Sequence, residues 1–358
     1  MDQTRLEQLL QKFPSLHILV VGDFFLDKYL SIEPAFSEIS LETGLEAYQV
    51  VEIRHSPGAA GTVVSNLRAM EVQVSVVGVI GQDGEGFELK QDLQRLGVNL
   101  TGLVETPERF TPTYTKPMLR AVEPGGSERE LNRLDIKNRR SLLNELEAVV
   151  IEHLERLLPN VDGVIIADQV QERNCGVITD MVRAALTRLA KDYPAKIFAA
   201  DSRVRVGEFE GVMVKPNLPE ARAAVGGLEG RKSGRMEEWV NEGDELAMVR
   251  LCGQMLFEKN QLPVFVTIGA QGILVTTEQG SDHIHGIVVP GEIDIVGAGD
   301  SVMAGLVATL CAGGTPQEAA LMGNLAASIT IQQIGTTGTA SRTQLVDEVR
   351  KWSEEAWN

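Results

Sequence analysis

The chain has 358 residues, of which 43% are hydrophobic and 23% are charged, a composition typical of a soluble globular protein with a sizeable core. Its formal net charge of −17 argues against a nucleic acid as the main partner, because nucleic-acid binding relies on clustered Lys and Arg. A small phosphorylated substrate held by one or two local cations remains compatible with that charge. The three cysteines, Cys175, Cys252 and Cys311, form no CxxC motif, and we expect buried thiols in a reducing compartment.

The N-terminal segment predicts a short amphipathic helix over residues 4–12 and a buried strand over residues 17–23. It has no basic n-region, so we do not expect a signal peptide. The apolar run at 302–311 is too short to span a bilayer. We therefore expect a cytoplasmic protein that does not bind a membrane.

The first third of the chain mixes β-rich and helical patterns. Residues 29–55 show alternating, β-rich pieces that predict a small antiparallel element. Helices are predicted at 58–70 and 85–97 on either side of a strand at 74–81. A β-like segment at 112–122 is expected to pair with the earlier small β element.

From about residue 140 the pattern becomes a regular alternation of strands and helices. This order predicts a mostly parallel sheet covered by helices on both faces. Thr315 is expected to cap the last helix, with Pro316 in its first turn. The predicted strands are 163–168, 196–201, 211–217, 263–269 and 272–278; the predicted helices are 140–157, 176–193 and 245–257, and the polar segment 227–245 is predicted to be a loop.

A glycine-rich turn lies between a strand-like run at 293–296 and an apolar helix, in the stretch "EIDIVGAGDSVMAGLVATL" (292–310). The first N–H groups of a helix lack internal partners and attract anions, so Gly297, Ala298 and Gly299 could cradle a phosphate. Asp300 follows at once, and a carboxylate beside an anion site suits a general base that accepts the proton of an attacking hydroxyl. A simple turn in which Asp300 caps the helix is the alternative.

Polar residues follow several other predicted strands, which is where open α/β sheets bind ligands. Each one alone is better explained by a turn or a cap than by a catalytic role. Together they favour a ligand site at that edge of the sheet. They are Asp23, Asp27, Asp168, Asp201, Asn217 and Glu220.

Other motifs are weaker or missing. "TIGAQG" (267–272) is compatible with a tight hairpin or with the edge of a nucleotide site. His283 and His285 share one strand face, where solvent exposure is a better interpretation than a metal site. The sequence has no Walker A motif, no GxGxxG after the first strand and no GxSxG.

Four motifs in the same order and spacing resemble those of the PfkB, or ribokinase-like, family of carbohydrate kinases over nearly the whole chain. "DIVGAGDS" is similar to the family's C-terminal signature DTTGAGD[ST], and "PGAAGTVVSNLRAM" with the following strand and helix resembles its N-terminal signature. "KPNLPE" matches the N-x-x-E element, and "TIGAQG" matches T-x-G-x-x-G. "VVGDFFLDKYL", "RFTPTYTKPMLR" and "LNRLD" look most like the heptose 7-phosphate kinase branch.

The resemblance implies a single kinase domain over residues 1–358, a three-layer αβα sandwich with a mostly parallel central sheet and a small β-sheet lid. The lid segments would be approximately 29–55 and 110–122, and the lid would also form a homodimer interface. ATP and Mg²⁺ would be the cofactors, with a monovalent cation such as K⁺ as a further cofactor in this family.

The resemblance also implies a role for each matching residue. Asp300 would be the base, and Gly297, Ala298 and Gly299 would form the anion hole for the transferred phosphoryl group. Asn217 and Glu220 would organise Mg²⁺-bound water around the ATP phosphates. The nucleotide site would include Thr267, Gly269, Gly272 and Asn324. The acceptor site would include Asp23, Asp27, Gly58, Ala59, Lys116, Asp168 and Arg203, of which Arg203 and Lys116 could meet a sugar phosphate.

The sugar-reading residues depart from the family pattern more than the phosphoryl-transfer residues do. Gly61 replaces the asparagine of GGAAN, Pro57 replaces its first glycine, and "ADQVQERNCG" (167–176) replaces SDYGKG. The sequence therefore predicts an ATP-dependent sugar kinase, with heptose 7-phosphate as the most specific hypothesis. The alternatives are a kinase for another sugar, sugar phosphate or nucleoside, and a catalytically weak relative that binds ligand.

Overall fold

The computed structural model describes residues 3–121, 128–229 and 245–355. Most of the polar segment predicted as a loop at 227–245 lies outside the described residues, and so does the last residue of the predicted β segment 112–122.

Sixteen strands run through the described residues. Most are short, and nine of them form the main sheet. In chain order they are β1 (His17–Gly22), β2 (Phe24–Ile32), β3 (Glu38–Ile39), β4 (Glu46–Ala47), β5 (Val50–Ala59), β6 (Gln73–Gly81), β7 (Asn99–Thr106), β8 (Thr113–Leu119), β9 (Arg129–Glu130), β10 (Leu134–Ile136), β11 (Gly163–Asp168), β12 (Ile197–Ser202), β13 (Met213–Val214), β14 (Val264–Thr267), β15 (Gly272–Thr277) and β16 (Gly280–His285).

The described residues also form ten α-helices. None of them is both long enough and apolar enough to cross a bilayer. In chain order they are α1 (Gln3–Lys12), α2 (Ala60–Ala69), α3 (Gly84–Arg95), α4 (Asn144–Leu157), α5 (Asp180–Asp192), α6 (Leu218–Glu229), α7 (Glu245–Asn260), α8 (Ala298–Cys311), α9 (Pro316–Thr330) and α10 (Arg342–Glu355).

The main sheet has the order β16-β15-β14-β13-β12-β11-β1-β6-β7. The seven strands from β7 to β14 in this order are parallel to one another, and at the other edge β15 is antiparallel to both β14 and β16. The chain leaves β1 in one direction through β6 and β7, and later in the other through β11 to β14. The carboxyl ends of β1 and β11 therefore flank the switch point of the sheet, where α/β folds bind ligands.

Two apolar cores, one on each face of the main sheet, confirm the predicted three layers. Side chains alternate between them along β1: Ile18 and Val20 belong to the core under α1, α2, α8 and α9, whereas Leu19 and Val21 belong to the core under α4 to α7. A strand buried on both faces must be apolar at every position, which explains the continuous run "HILVVG".

A second sheet has the order β10-β8-β2-β5, with β9 beside β8. It contains the β-rich segments for which a small antiparallel element was predicted. β5 pairs antiparallel with β2, whereas β8 pairs parallel with it, so the sheet is mixed. We call it the lid sheet; its strand β2 starts at Phe24, five residues before the predicted start.

Several predicted elements differ from the structure at particular places. The strand-like run at 293–296 forms no strand, and its exposed isoleucines pack in no sheet, so that prediction was wrong. Strand β7 was not predicted, because its burial alternates irregularly. Residues 176–179 precede helix α5 because Thr179 caps it by accepting from the Val182 N–H. Thr315 caps α9 in a capping box with Glu318, as the sequence predicts.

The junction between β5 and α2 holds one residue in a strained conformation. Ala59 has φ 54° and ψ −118°, a region that glycine adopts readily and a residue with a Cβ rarely. Such backbone strain is common beside functional sites. The next N–H, of Ala60, donates to the Asp23 carbonyl and fixes this junction against the end of β1.

We predict that Ala59→Gly stabilises the fold by about 1 kcal/mol, because relief of strain exceeds the added chain entropy of glycine. Urea denaturation measures the free energy of unfolding. The control is Ala184→Gly on the exposed face of α5, which should destabilise by about 1 kcal/mol. A loss of stability in both variants would contradict the assignment of strain to Ala59.

Candidate active site

The first turn of α8 forms the predicted glycine-rich turn. Gly297 caps the helix with φ 79°, and a Cβ on it would lie 2.8 Å from Thr337 Cγ2, so a glycine is required here. Among the described residues, the N–H groups of Gly297 and Gly299 make no hydrogen bond, whereas that of Ala298 donates to the Ile295 carbonyl at 3.2 Å. Two of the three predicted anion-hole residues thus offer unpaired N–H groups at a helix N-terminus.

Asp300 lies in that first turn, and its carboxyl group faces a cleft. Burial, and after it the charge of the nearby Asp201 carboxylate, raise the pKa of Asp300 from 3.8 to about 7, although Lys215 and Arg203 act to lower it. A carboxyl group with a pKa near neutral pH is well suited to general-base work. This raised pKa is compatible with the general-base role that the sequence suggests for Asp300.

Lys215 and Asp201 form a buried ion pair beside Asp300, with the Lys215 Nζ 3.1 Å from Asp201 Oδ2. The ammonium group also lies 3.6 Å from the position that a Cβ on Gly299 would occupy. A fixed cation next to unpaired helix N–H groups strengthens an anion site. Sequence reasoning had given Lys215 no role, although a lysine directly after the buried strand β13 was the available signal.

Asn217 and Glu220 cap helix α6 reciprocally. The Asn217 N–H donates to Glu220 Oε2 at 2.8 Å, and the Glu220 N–H donates to Asn217 Oδ1 at 2.9 Å. Burial raises the Glu220 pKa and Asp201 raises it further, whereas Lys215 and Arg203 lower it. This reciprocal capping leaves Oε1 of Glu220 without a hydrogen bond among the described residues. The charges of Asp201, Lys215 and Arg203 act on Glu220 as they do on Asp300, so the two carboxyl groups border the same region.

The segment "TIGAQG" forms a tight turn between antiparallel strands β14 and β15. Gly269 and Gly272 adopt φ 58° and 99°, and a Cβ on Gly272 would lie 2.2 Å from the Ile284 carbonyl oxygen. Thr267 ends β14 and bridges to Asn217. The hairpin interpretation is thus correct for the backbone, and it brings Thr267 next to the cap of α6.

Asn324 is buried on α9 and supports strand β16. Its amide group donates to the carbonyls of Ile284 and His285 at 3.1 and 2.9 Å. His283 is partly buried, and its Nε2 lies 2.8 Å from the Gln271 carbonyl. Within the described residues, no group of three or more His, Cys, Asp or Glu side chains is arranged for a metal ion.

Asp23 and Asp168 are buried, and the carboxyl group of each accepts hydrogen bonds from other groups of the protein. The Asp23 carboxylate accepts from the N–H groups of Gln169, Val170 and Val177, and burial, followed by the charge of Asp168, raises its pKa to about 6. Asp168 accepts from Ser202 and forms an ion pair with Arg205 at 2.6 Å.

These two carboxylates anchor the segment that replaces the family's SDYGKG. Arg205 also donates to the carbonyls of Val170 and Gln171, and Arg109 donates to that of Cys175. Sequence reasoning did not identify Arg205 or Arg109, because the side chains lie 37 and 66 residues from their partners.

Asp27 and Lys116 project from neighbouring strands of the lid sheet. The Lys116 Nζ lies 3.6 Å from Asp27 Oδ1 and donates to the Tyr29 hydroxyl at 3.1 Å. Burial raises the Asp27 pKa in spite of Lys116. A Cβ on Gly58 would lie 2.8 Å from Asp27 Oδ2, so the glycine permits this close approach.

Arg203 is exposed between the body and the lid sheet. Its Nε donates to Gln169 Oε1 at 2.9 Å, and its charge lowers the pKa of both Asp300 and Glu220. Asp27 acts on the Asp300 pKa in the opposite direction. The charges of Asp27, Asp201, Arg203 and Lys215 all act on the Asp300 pKa, and three of them also act on the Glu220 pKa, so these side chains lie near one another. We call the region that they border the Asp300 cleft.

Comparison with known proteins agrees with this architecture. The profile of the pfkB family of carbohydrate kinases matches residues 35–343. The chain is 28% identical over 326 residues to the bifunctional protein HldE of Desulfatibacillum aliphaticivorans, covering 90% of this chain and 61% of that protein. The corresponding protein of Trichlorobacter lovleyi is 28% identical over 348 residues, covering 94% and 64%. The chain thus spans less than two thirds of the length of these relatives.

Solved structures share the fold at low identity. Phosphofructokinase-2 from Escherichia coli, in complex with fructose-6-phosphate, superposes with a TM-score of 0.67 at 16% identity, covering 94% of this chain and 99% of that one. Ribokinase from Arabidopsis thaliana, complexed with ribose and ATP, gives 0.65 at 15% identity with the same coverages. With the family profile matching most of its length, the chain belongs to the pfkB family of carbohydrate kinases.

Proposed function

We propose that this sugar kinase transfers the γ-phosphoryl group of ATP to a hydroxyl of a sugar phosphate. The observation that carries the proposal is the position of Asp300 in the first turn of α8, beside the Lys215–Asp201 pair and below the exposed Arg203. Heptose 7-phosphate, giving the 1,7-bisphosphate, is the best candidate acceptor, because the similar HldE proteins align over almost the whole chain.

In the proposed reaction the acceptor hydroxyl gives its proton to the Asp300 carboxylate as its oxygen attacks the γ-phosphorus. The bond from that phosphorus to the β–γ bridging oxygen breaks, and ADP leaves with the electron pair. The N–H groups of Gly297 and Gly299 and the Lys215 ammonium stabilise the charge on the transferred group. A pKa of about 7 leaves Asp300 largely charged at slightly alkaline pH.

Asn217 and Glu220 are the residues that would hold Mg²⁺-bound water next to the nucleotide phosphates. Oxygen donors in small number suit Mg²⁺, which keeps several of its waters in phosphate-transfer enzymes. The unpaired Oε1 of Glu220 supports this fit. Magnesium would neutralise charge on the phosphates when bound. We also propose that a monovalent cation such as K⁺ serves the enzyme as a further cofactor.

Thr267, Gly269 and Gly272 are proposed to line the nucleotide site, with Asn324 positioning β16 beside the adenine. On the acceptor side we propose Asp27, Gly58, Ala59, Lys116 and Arg203 as contacts. For Asp23 and Asp168 we propose that they act on the sugar through the backbone of the segment 169–177, since the contacts given above already occupy their carboxylates.

We also propose that the lid sheet, together with the small two-stranded sheet of β3 and β4, forms the surface of a homodimer in the cytoplasm. A row of large apolar side chains is exposed around β3, β4 and β5, which is unfavourable in water and typical of a covered interface. These residues are Phe36, Ile39, Leu41, Leu45, Tyr48, Val50, Val51 and Ile53.

The decisive experiment measures ADP release from ATP and Mg²⁺ with a panel of sugars and sugar phosphates. We expect saturable turnover with heptose 7-phosphate, a kcat/KM that rises with pH through about 7, and a loss of about a hundredfold to ten-thousandfold in Asp300→Asn. The control is Asp347→Asn on α10. Turnover only on a ketose phosphate or nucleoside would contradict the heptose assignment. If the wild type releases ADP no faster than Asp300→Asn with every substrate of the panel, the proposed kinase activity is contradicted.

Asp300→Asn should also change stability in a pH-dependent way. A carboxyl whose pKa rises from 3.8 unfolded to about 7 folded opposes folding progressively across that interval and fully above it. We therefore expect a higher Tm than wild type well above pH 7 and a narrowing difference at lower pH. Thermal unfolding in the absence of ligand measures this. A constant difference across pH would show that Asp300 does not titrate as stated.

Arg203→Ala should raise KM for a phosphorylated acceptor by about tenfold or more and change KM for ATP little, because a guanidinium–phosphate pair is lost. Steady-state kinetics with each substrate varied in turn gives both constants. Arg188→Ala, an exposed arginine of α5 that pairs with Glu155 and Asp192, is the control. Equal increases in both KM values would contradict the assignment of Arg203 to the acceptor site.

A further inference from the structure

A second cavity lies outside the cleft of Asp300. It has a volume of about 570 Å³ and opens between the edge strand β5, helices α2 and α3, and the segment that follows α9. β5 is the last strand of the lid sheet, so its outer edge faces this cavity rather than another strand. None of the residues proposed above for phosphoryl transfer or as acceptor contacts lines it, and of the positions that depart from the family pattern only Pro57 does.

The lining is basic in a strongly acidic protein. Arg68, Arg95 and His55 line the cavity together with a single carboxylate, that of Asp92. Two guanidinium groups against one carboxylate leave an excess of positive charge, whereas the chain as a whole carries −17. Guanidinium pairs are the side chains best suited to bind the planar or tetrahedral oxygens of an anion.

Arg68, His55 and Asp92 are held in place before any ligand arrives. Arg68 donates to the carbonyls of Val72 and Leu96, each at 2.7 Å, which fixes the plane of its guanidinium. His55 Nδ1 lies 2.5 Å from Asp92 Oδ2, and within the described residues its Nε2 has no hydrogen-bond partner. The Arg95 side chain remains 66% exposed while it contacts Asp92, so it can turn toward a ligand.

Hydroxyl groups complete the polar lining. Ser56, Ser65, Thr337 and Thr339 all line the cavity. The buried oxygens of Ser56 and Thr337 have no hydrogen-bond partner in the part of the chain that is described. Buried hydroxyls without partners are uncommon, and a missing ligand or water is one of the ordinary reasons for them.

The cavity shares a wall with the phosphoryl-transfer turn. Thr62 and Thr337 line it, and their Cγ2 atoms would lie 3.3 and 2.8 Å from a Cβ on Gly297. Asn66 of α2 accepts from the Ala340 N–H at 3.2 Å and so joins the two sides of that wall. A ligand in the cavity would therefore contact residues that pack around Gly297.

We propose that this cavity is a second ligand site, separate from the active site, that binds a small phosphorylated metabolite. Arg95 and His55 Nε2 would meet the phosphate group, Arg68 would fix the wall behind it, and the hydroxyls would meet those of the ligand. The volume accommodates a molecule of several carbon atoms. The proposal is independent of which sugar the kinase phosphorylates.

Calorimetric titration with glycerol 3-phosphate, a small phosphate ester with hydroxyls, tests the site without a measurement of activity. We expect binding to the wild type, a Kd raised about tenfold or more in Arg95→Ala, and partial recovery in Arg95→Lys. Arg188→Ala on α5, an exposed arginine that also pairs with carboxylates on helices, is the matched control and should bind as wild type. A parallel titration with inorganic phosphate distinguishes a site for the ester from one for the free ion.

Arg203→Ala separates this site from the acceptor site, and it should leave glycerol 3-phosphate binding unchanged. The proposal is overturned by any of three results: no binding to the wild type at millimolar concentration, equal binding to wild type and Arg95→Ala, or binding that is abolished by Arg203→Ala. Tighter binding of inorganic phosphate than of the ester would also contradict a metabolite site. Thermal unfolding of each variant confirms that the fold is retained.

Discussion

The ion pair between Lys215 and Asp201 sets the electrostatics of the whole cleft. The end of β12 supplies one carboxylate, and Asp300 brings a second one into the same buried space, where two negative charges repel each other. The Lys215 ammonium, 3.1 Å from Asp201, is the fixed positive charge that offsets this repulsion. Removing it would leave the exposed Arg203 as the remaining cation that acts on Asp300, and the loss of a buried partner is more costly than the loss of an exposed ion pair.

The parallel sheet makes this arrangement possible. Strands that run in the same direction bring their carboxyl ends to one edge of the sheet. Residues as distant in sequence as Asp23 and Thr267 therefore lie at that same edge. The end of each strand then serves one of two purposes. After β12, β13 and β14 the polar groups surround the first turn of α8, whereas after β1 and β11 they tie down the backbone of residues 169–177.

The sequence was sufficient to predict what depends on local chemistry. The period of apolar residues predicted most helices and buried strands, and the turn before Asp300 was recognised because glycines, a helix and a carboxylate are adjacent in the chain. Lys215 was missed because its importance comes from Asp201 and Gly299, which only the folded sheet brings near it. The prediction of a strand at 293–296 was wrong for a related reason, since residues with high β propensity form no sheet without a neighbouring strand.

The two halves of the proposed active site, one for phosphoryl transfer and one for the acceptor, are therefore constrained in different ways. The phosphoryl-transfer half is built from a helix terminus, glycine backbone and one ion pair, so few side chains can change without loss of the anion site. The acceptor half rests on a segment held by Asp23, Arg205 and Arg109, whose exposed side chains can vary while the anchors keep its backbone in place. This difference explains how "ADQVQERNCG" can depart from the family pattern although the turn before Asp300 has kept its form.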